Sequence, residues 1–229
     1  MKNRQQTAGV AGTLFLIALA ASIAGGSFVQ AVASQADPVR AALYNRTPLL
    51  IGILLELVNA ICVAGIAALL YPVLKERGEG AARGYLLCRM LEAVFCAAIV
   101  IAPLTLMHIA NGTGENTAAA AILLAARAGL TDLLIPVFFS MGAVLFYGTA
   151  YRYRLLPRFL PAWGMAGAVL VFAISIFGFF RGTDMNMGVQ MALGLPIILN
   201  ELLLGIWLIA KGFRTPESIA DARAKLSPA

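Results

Sequence analysis

Six apolar stretches decide what this chain can become. They cover about 8–33, 49–72, 84–109, 118–150, 162–180 and 189–210 of the 229 residues. Each approaches or exceeds the roughly 20 residues a helix needs to cross the hydrocarbon core of a bilayer. No water satisfies backbone N–H and C=O groups there, so a span has to bond within itself, and runs of this length are read as helices rather than strands. Composition agrees: the chain is 61% hydrophobic and 12% charged, with a mean hydropathy of +0.87, whereas a soluble domain is about a quarter charged. The expected fold is an all-α integral membrane bundle of six transmembrane helices. It forms one domain, 1–213, followed by a polar tail, 214–229, with a short helix after Thr215. The first run follows Lys2 and Arg4 and ends near the small residues "AVASQA", as a secretory signal does. It is too long for a signal core and is read as a retained helix.

Turn chemistry marks the boundaries. Thr47 and Pro48 suit a cap and first turn for the second helix, and Tyr71 with Pro72 would close it. "ANGTGEN" (110–116) and "RLLPRFLPAW" (154–163) read as connections. The weakly apolar start of the fourth run, "TAAAAILLAARAGL", is expected to tilt or to lie partly at the interface. Orientation follows from the basic residues. Lys2, Arg4, Lys75, Arg77, Arg83, Arg152, Arg154, Arg158, Lys211, Arg214, Arg223 and Lys225 fall on one side, and only Arg40, Arg46 and Arg181 on the other. Both termini are therefore expected in the cytoplasm, with Tyr71, Tyr85, Tyr151, Tyr153, Trp163 and Trp207 as interfacial anchors on that side. The formal net charge of +6 does not point to nucleic acid, because the basic residues are dispersed in short loops.

Small residues recur at helical spacing: Ala8 with Gly12, Ser22 with Gly26, Ala60 with Ala64 and Ala68, and Gly164 with Ala168. They would bring helix backbones together inside the bundle or, on one face, in a homo-oligomer. Cys62, Cys88 and Cys96 lie within apolar runs at no metal-ligand spacing and read as small buried side chains.

Six charged side chains fall inside the spans: Glu56, Arg89, Glu92, Arg127, Asp132 and Glu201. Each costs about 2.5–3.5 kcal/mol at a helix centre, so each needs a reason. Arg89 and Glu92 stand three residues apart on one helical face. Either Arg89 reaches out to the headgroups with Glu92 attached, or both point into the bundle. Glu201 follows Asn200 near the middle of the sixth helix, after Pro196, which frees the Ala192 carbonyl. Glu56 and Asn59 make a polar face on the second helix, and Arg127 with Asp132 a secondary polar cluster before Pro136 on the fourth. Two arginines against four carboxylates leave two negative charges. At least one carboxylate then has to be protonated, bound to a cation or open to water. Arg89, Glu92, Glu201, Asn200, Glu56 and Asn59 are the expected ligand- or ion-binding set.

The chain has one histidine, His108, at the outer end of the third helix. It contains no HExxH, GxSxG, Walker or dinucleotide fingerprint, so no metal, cofactor or catalytic residue is assigned. "RMLEAVF" (89–95), "YRLLPRFLPAWGMAGAVL" (153–170) and "NELLLGIWLIAKGF" (200–213) resemble the bacterial multi-pass membrane family catalogued as domain of unknown function 4386. The resemblance extends over nearly the whole chain and implies the bacterial cytoplasmic membrane. It brings no activity with it. The function expected is non-enzymatic binding, sensing or an accessory role, with the bilayer as partner and a small molecule, lipid or ion as ligand. A proton- or cation-coupled transporter is the alternative, although no internal repeat is evident. An intramembrane enzyme is the third reading.

Overall fold

In a computed structural model, describing residues 2–111, 117–181 and 187–214, the apolar runs are helical, and no strand occurs among the described residues. The elements are α1 (Lys2–Ala33), a short α2 (Pro38–Tyr44), α3 (Arg46–Lys75), α4 (Glu79–Ala98), α5 (Ile101–Ala110) and α6 (Thr117–Gly129). A π-helical turn (Leu130–Leu134) then leads into α7 (Ile135–Arg152), followed by α8 (Phe159–Arg181) and α9 (Met187–Ala210). Six segments are long and apolar enough to cross a membrane, α4 with α5 making one of them and α6 with α7 another. The protein is a multi-pass membrane bundle.

The crossings are arranged in chain order as a closed ring. α1 packs on α3, α3 on α4, α4 on α7, α7 on α8 and α8 on α9, and α9 returns to α1. Paired glycines set the seams of α1. A Cβ on Gly12 would lie 2.6 Å from the Gly205 carbonyl oxygen, and one on Gly25 would lie 3.0 Å from that of Gly52. The first helix is thus held backbone to backbone against α9 at one end and α3 at the other. Of the small residues at this spacing, Ala8, Gly12, Ala60, Gly164 and Ala168 are buried, and Ala68 is exposed. Ser22 is exposed, and a Cβ added at Gly26 would meet nothing within 4 Å.

Two apolar cores fill the ring. One, at the end carrying Lys2 and Arg214, includes Phe15, Ile66, Leu70, Tyr85, Phe146, Tyr147, Leu156 and Leu204. The other, toward the far end, includes Val29, Leu49, Ile53, Ile99, Val100 and Leu106. On α3 and α4 the buried charges Glu56, Arg89 and Glu92 fall between the two sets. These three charged residues form a layer sandwiched by apolar cores.

Several boundaries differ from the sequence expectation. α3 begins at Arg46 with Asn45 at its N-cap, so Thr47 and Pro48 lie inside its first turn. Asn45 also closes α2 by donating its side-chain N–H to the Ala41 carbonyl, 3.0 Å. α2 itself was unforeseen; Asp37 caps it by accepting from the Arg40 amide and Pro38 begins it. Pro72 does not end α3, which continues one turn to Lys75. A proline near a terminus withdraws one hydrogen bond without forcing a stop. Tyr85 is not an interfacial anchor but a core residue, 2% exposed, whose ring lies 5.9 Å from Phe146. Tyr151 and Tyr153 are exposed and stack under Arg158 and Arg152. Gly212, at φ +67°, takes the left-handed conformation that terminates α9. Arg214 then binds its amide to the Leu155 carbonyl, 2.9 Å. Residues 112–116 of the third connection and the tail from 215, with its short helix, lie outside the described residues.

Candidate functional site

Helical spacing puts Arg89 and Glu92 on one face of α4, and that face turns inward. Arg89 Nη1 donates to Glu92 Oε2 at 2.9 Å and Oε1 at 3.2 Å, and both residues are buried. The guanidinium lies 5.6 Å from the centre of the Phe139 ring. Gly142 makes room for its stem, since a Cβ there would stand 3.1 Å from Arg89 Cδ. Arg89 therefore does not reach out to the headgroups.

Arg127 projects inward from α6 to Glu56 on α3 rather than to Asp132 on its own crossing. Nη1 donates to Glu56 Oε2 at 3.0 Å, Nη2 donates to Oε1, and the pair is buried. Such a two-point fork is the strongest geometry available to an arginine and a carboxylate. Nη1 also donates to the Ile99 carbonyl at 2.7 Å. That carbonyl is available for a local reason: Pro103, four residues on, has no N–H to give it. The helix breaks between α4 and α5 at this point, and Arg127 supplies the missing donor. Proline 103 and the carbonyl it frees were not foreseen. A proline four residues beyond an apolar residue, inside an unbroken run, was the available signal.

The two arginines neutralise Glu92 and Glu56. Glu201 and Asp132 form no ion pair with another described residue. Glu201 is half-buried on α9 and lies within electrostatic range of Arg89 and Glu92. Its neighbour Asn200 is fully buried, donating Nδ2 to the Leu160 carbonyl at 2.8 Å. The Asn200 Oδ1 and the Tyr147 ring lie over Gly164, where a Cβ would come within 2.6 Å of Oδ1. Asn59, half-buried, faces the Cys96 thiol, which lies within electrostatic range of Glu56, Glu92 and Arg89. The expected set is thus divided: Arg89, Glu92, Glu201 and Asn200 border one polar region, Glu56 joins Arg127, and Asn59 stands between them. Asp132 is exposed on a separate cavity, accepting from Thr131 Oγ1 at 3.0 Å. His108 is exposed in the last turn of α5.

Among the described residues, five buried side-chain polar atoms have no hydrogen-bond partner: Arg89 Nε, Tyr85 Oη, Asn200 Oδ1, Ser140 Oγ and Trp207 Nε1. Tyr85 and Tyr147 share the electrostatic neighbourhood of Arg89 and Glu201. A buried polar atom without a partner costs about 1–3 kcal/mol, so a region containing several is suited to bound water, an ion or a polar ligand. Among the described residues no three His, Cys, Asp or Glu side chains gather as a metal site requires.

Residues 10–212 match the family described as domain of unknown function (DUF4386). The chain belongs to the DUF4386 family. The match takes in every crossing, and Arg89, Glu92, Arg127, Glu56 and Glu201 all lie within it. No curated protein and no solved structure matches this DUF4386 member.

Proposed function

We propose that the protein is a non-enzymatic membrane protein of the bacterial cytoplasmic membrane, with both termini in the cytoplasm, that binds a small cation or polar molecule in its central polar layer. The observation that carries this reading is Glu201, a carboxylate on α9 with no ion-pair partner among the described residues, beside an arginine already engaged by Glu92. An unpaired charge at this depth is costly and marks a functional site by default. Tyr85 Oη, Arg89 Nε and Asn200 Oδ1 supply hydrogen-bonding capacity that the protein itself leaves unused. The Arg89–Glu92 pair holds the geometry and Glu201 supplies the charge.

The test is thermal unfolding of the purified full chain in detergent, titrated with sodium, potassium and ammonium chloride at matched ionic strength. Saturable stabilisation by one cation, lost in Glu201→Gln, is expected; at one hundred times its dissociation constant a ligand stabilises by about 2.7 kcal/mol. Equal responses to all three salts, the same in both proteins, would reduce Glu201 to a structural role.

Cation-coupled transport is a second reading, favoured by one observation. Two crossings are interrupted inside the bundle, at Ile99–Val100 and at Leu130–Leu134, and interrupted helices are how many transporters build midplane sites. Cation-driven flux in proteoliposomes that disappears in Glu201→Gln would establish it.

A further inference from the structure

We propose that the cavity between α6, the π-helical turn and α8 binds a ligand carrying an ammonium group on an apolar body, with Asp132 as its anionic anchor. This site is separate from the layer around Glu201 and stands independently of that reading.

The cavity measures about 520 Å³, within the roughly 300–1,000 Å³ of small-molecule sites. Its shape follows from sequence. Ala125, Ala128, Gly129 and Asp132 recur on one helical face, and across from them Val171, Ile174, Ser175 and Gly178 do the same on α8. Small side chains on both walls leave the space unfilled. A Cβ added at Gly129, Gly178 or Gly194 would meet nothing within 4 Å. The π turn packs on α8, but α6 beyond it stands off, so the two walls diverge.

Leu133, Pro136 and Phe179 add apolar surface to the wall, and Thr131 adds a hydroxyl beside Asp132. Among the described residues, Asp132 is the one charged residue lining the cavity. The nearest arginine in sequence, Arg127, is committed to Glu56 and the Ile99 carbonyl on the opposite side of its helix, so it does not neutralise Asp132. Thr131 Oγ1 occupies only Asp132 Oδ1. Pro136 also has no N–H to offer the Asp132 carbonyl, and π-helical turns of this kind often accompany functional sites. A mostly apolar cavity whose one described charge is a carboxylate without an ion-pair partner among the described residues calls for a lipophilic cation. An ammonium group answers the charge and donates to the carboxylate, and the attached apolar body covers Val171, Ile174 and Phe179. Such a group occurs in free lipophilic amines and in the headgroup of phosphatidylethanolamine.

The full chain in phosphatidylglycerol nanodiscs is titrated with radiolabelled dodecylamine, with dodecanol as neutral competitor. Saturable binding is expected, weaker by about tenfold or more in Asp132→Asn and blocked in Gly178→Leu, which fills the cavity from a position with room for a side chain. Melting temperatures of both variants are checked against the parent, so that lost binding is not lost folding. Non-saturable uptake, equal binding to all three proteins, or displacement by dodecanol as effective as by unlabelled dodecylamine overturns the proposal. Repetition in nanodiscs containing phosphatidylethanolamine separates the sources. Suppressed dodecylamine binding identifies the lipid headgroup as the occupant, and undiminished binding identifies a free amine.

Discussion

Arg127 holds three elements at once: α6, which carries it, α3 through Glu56, and the junction of α4 and α5 through the Ile99 carbonyl. Removing it leaves a carboxylate and a carbonyl buried without donors. Arg127→Met is expected to destabilise the protein by about 3–5 kcal/mol, the cost of a buried charge stripped of its partner. Glu56→Gln combined with Arg127→Met should recover part of that loss, because the stranded charge is removed too. Denaturant unfolding in detergent checks both; a single variant as stable as the parent would show that the pair contributes nothing. Gly164 offers a second test. It lies beneath Tyr147 and Asn200 Oδ1 with no room for a methyl group, so Gly164→Ala should cost about 1–3 kcal/mol through overpacking, read as a lowered melting temperature. Both expectations depend on contacts between distant parts of the chain. The sequence singled out Glu56, Arg89, Glu92, Arg127, Asp132 and Glu201, since an ionisable side chain in an apolar run stands out. It did not show that Arg127 takes Glu56 instead of the nearer Asp132. Spacing decides partners within one helix, and only the fold decides them between helices.

Two of the crossings are helices in two pieces, and hydropathy could not reveal it. Hydropathy counts apolar side chains, whereas the breaks arise from a missing N–H: Pro103 after Ile99–Val100, and Pro136 after the π turn. In both places the apolar run continues without interruption. Restoring the donor should restore the helix. In Pro103→Ala, the new amide would compete with Arg127 for the Ile99 carbonyl, and α4 and α5 should straighten toward one axis. Spin labels at Arg83→Cys and Leu104→Cys, both exposed positions, in a protein with Cys62, Cys88 and Cys96 replaced by serine, would report this as a longer distance in pulsed EPR. An unchanged distance would assign the break to packing and not to the proline. Tyr85 is buried for a related reason: its distance along the apolar run suits an interface, but that distance does not say which side of α4 meets α7.

For the molecule as a whole, the number of crossings was legible because bilayer thickness sets a length that chance seldom produces six times. Their arrangement was not. Gly12 with Gly205 and Gly25 with Gly52 join helices far apart in sequence, and no local pattern announces which glycine will meet which. The imbalance of basic residues remains the guide to orientation. A fluorescent reporter fused after Ala229 should be fluorescent and one requiring export should be inactive there; the reverse result would invert the topology. The ring has a further consequence, in time. Each crossing after the first packs on the crossing made before it, but the seam between α1 and α9 has to wait until α9 has been made. Through most of synthesis the Gly12 face of α1 stands open to lipid. The nascent chain is therefore an unclosed arc until α9 arrives, and a ribosome stalled after α8 would hold a product that quality-control proteases can tell from one whose ring has closed.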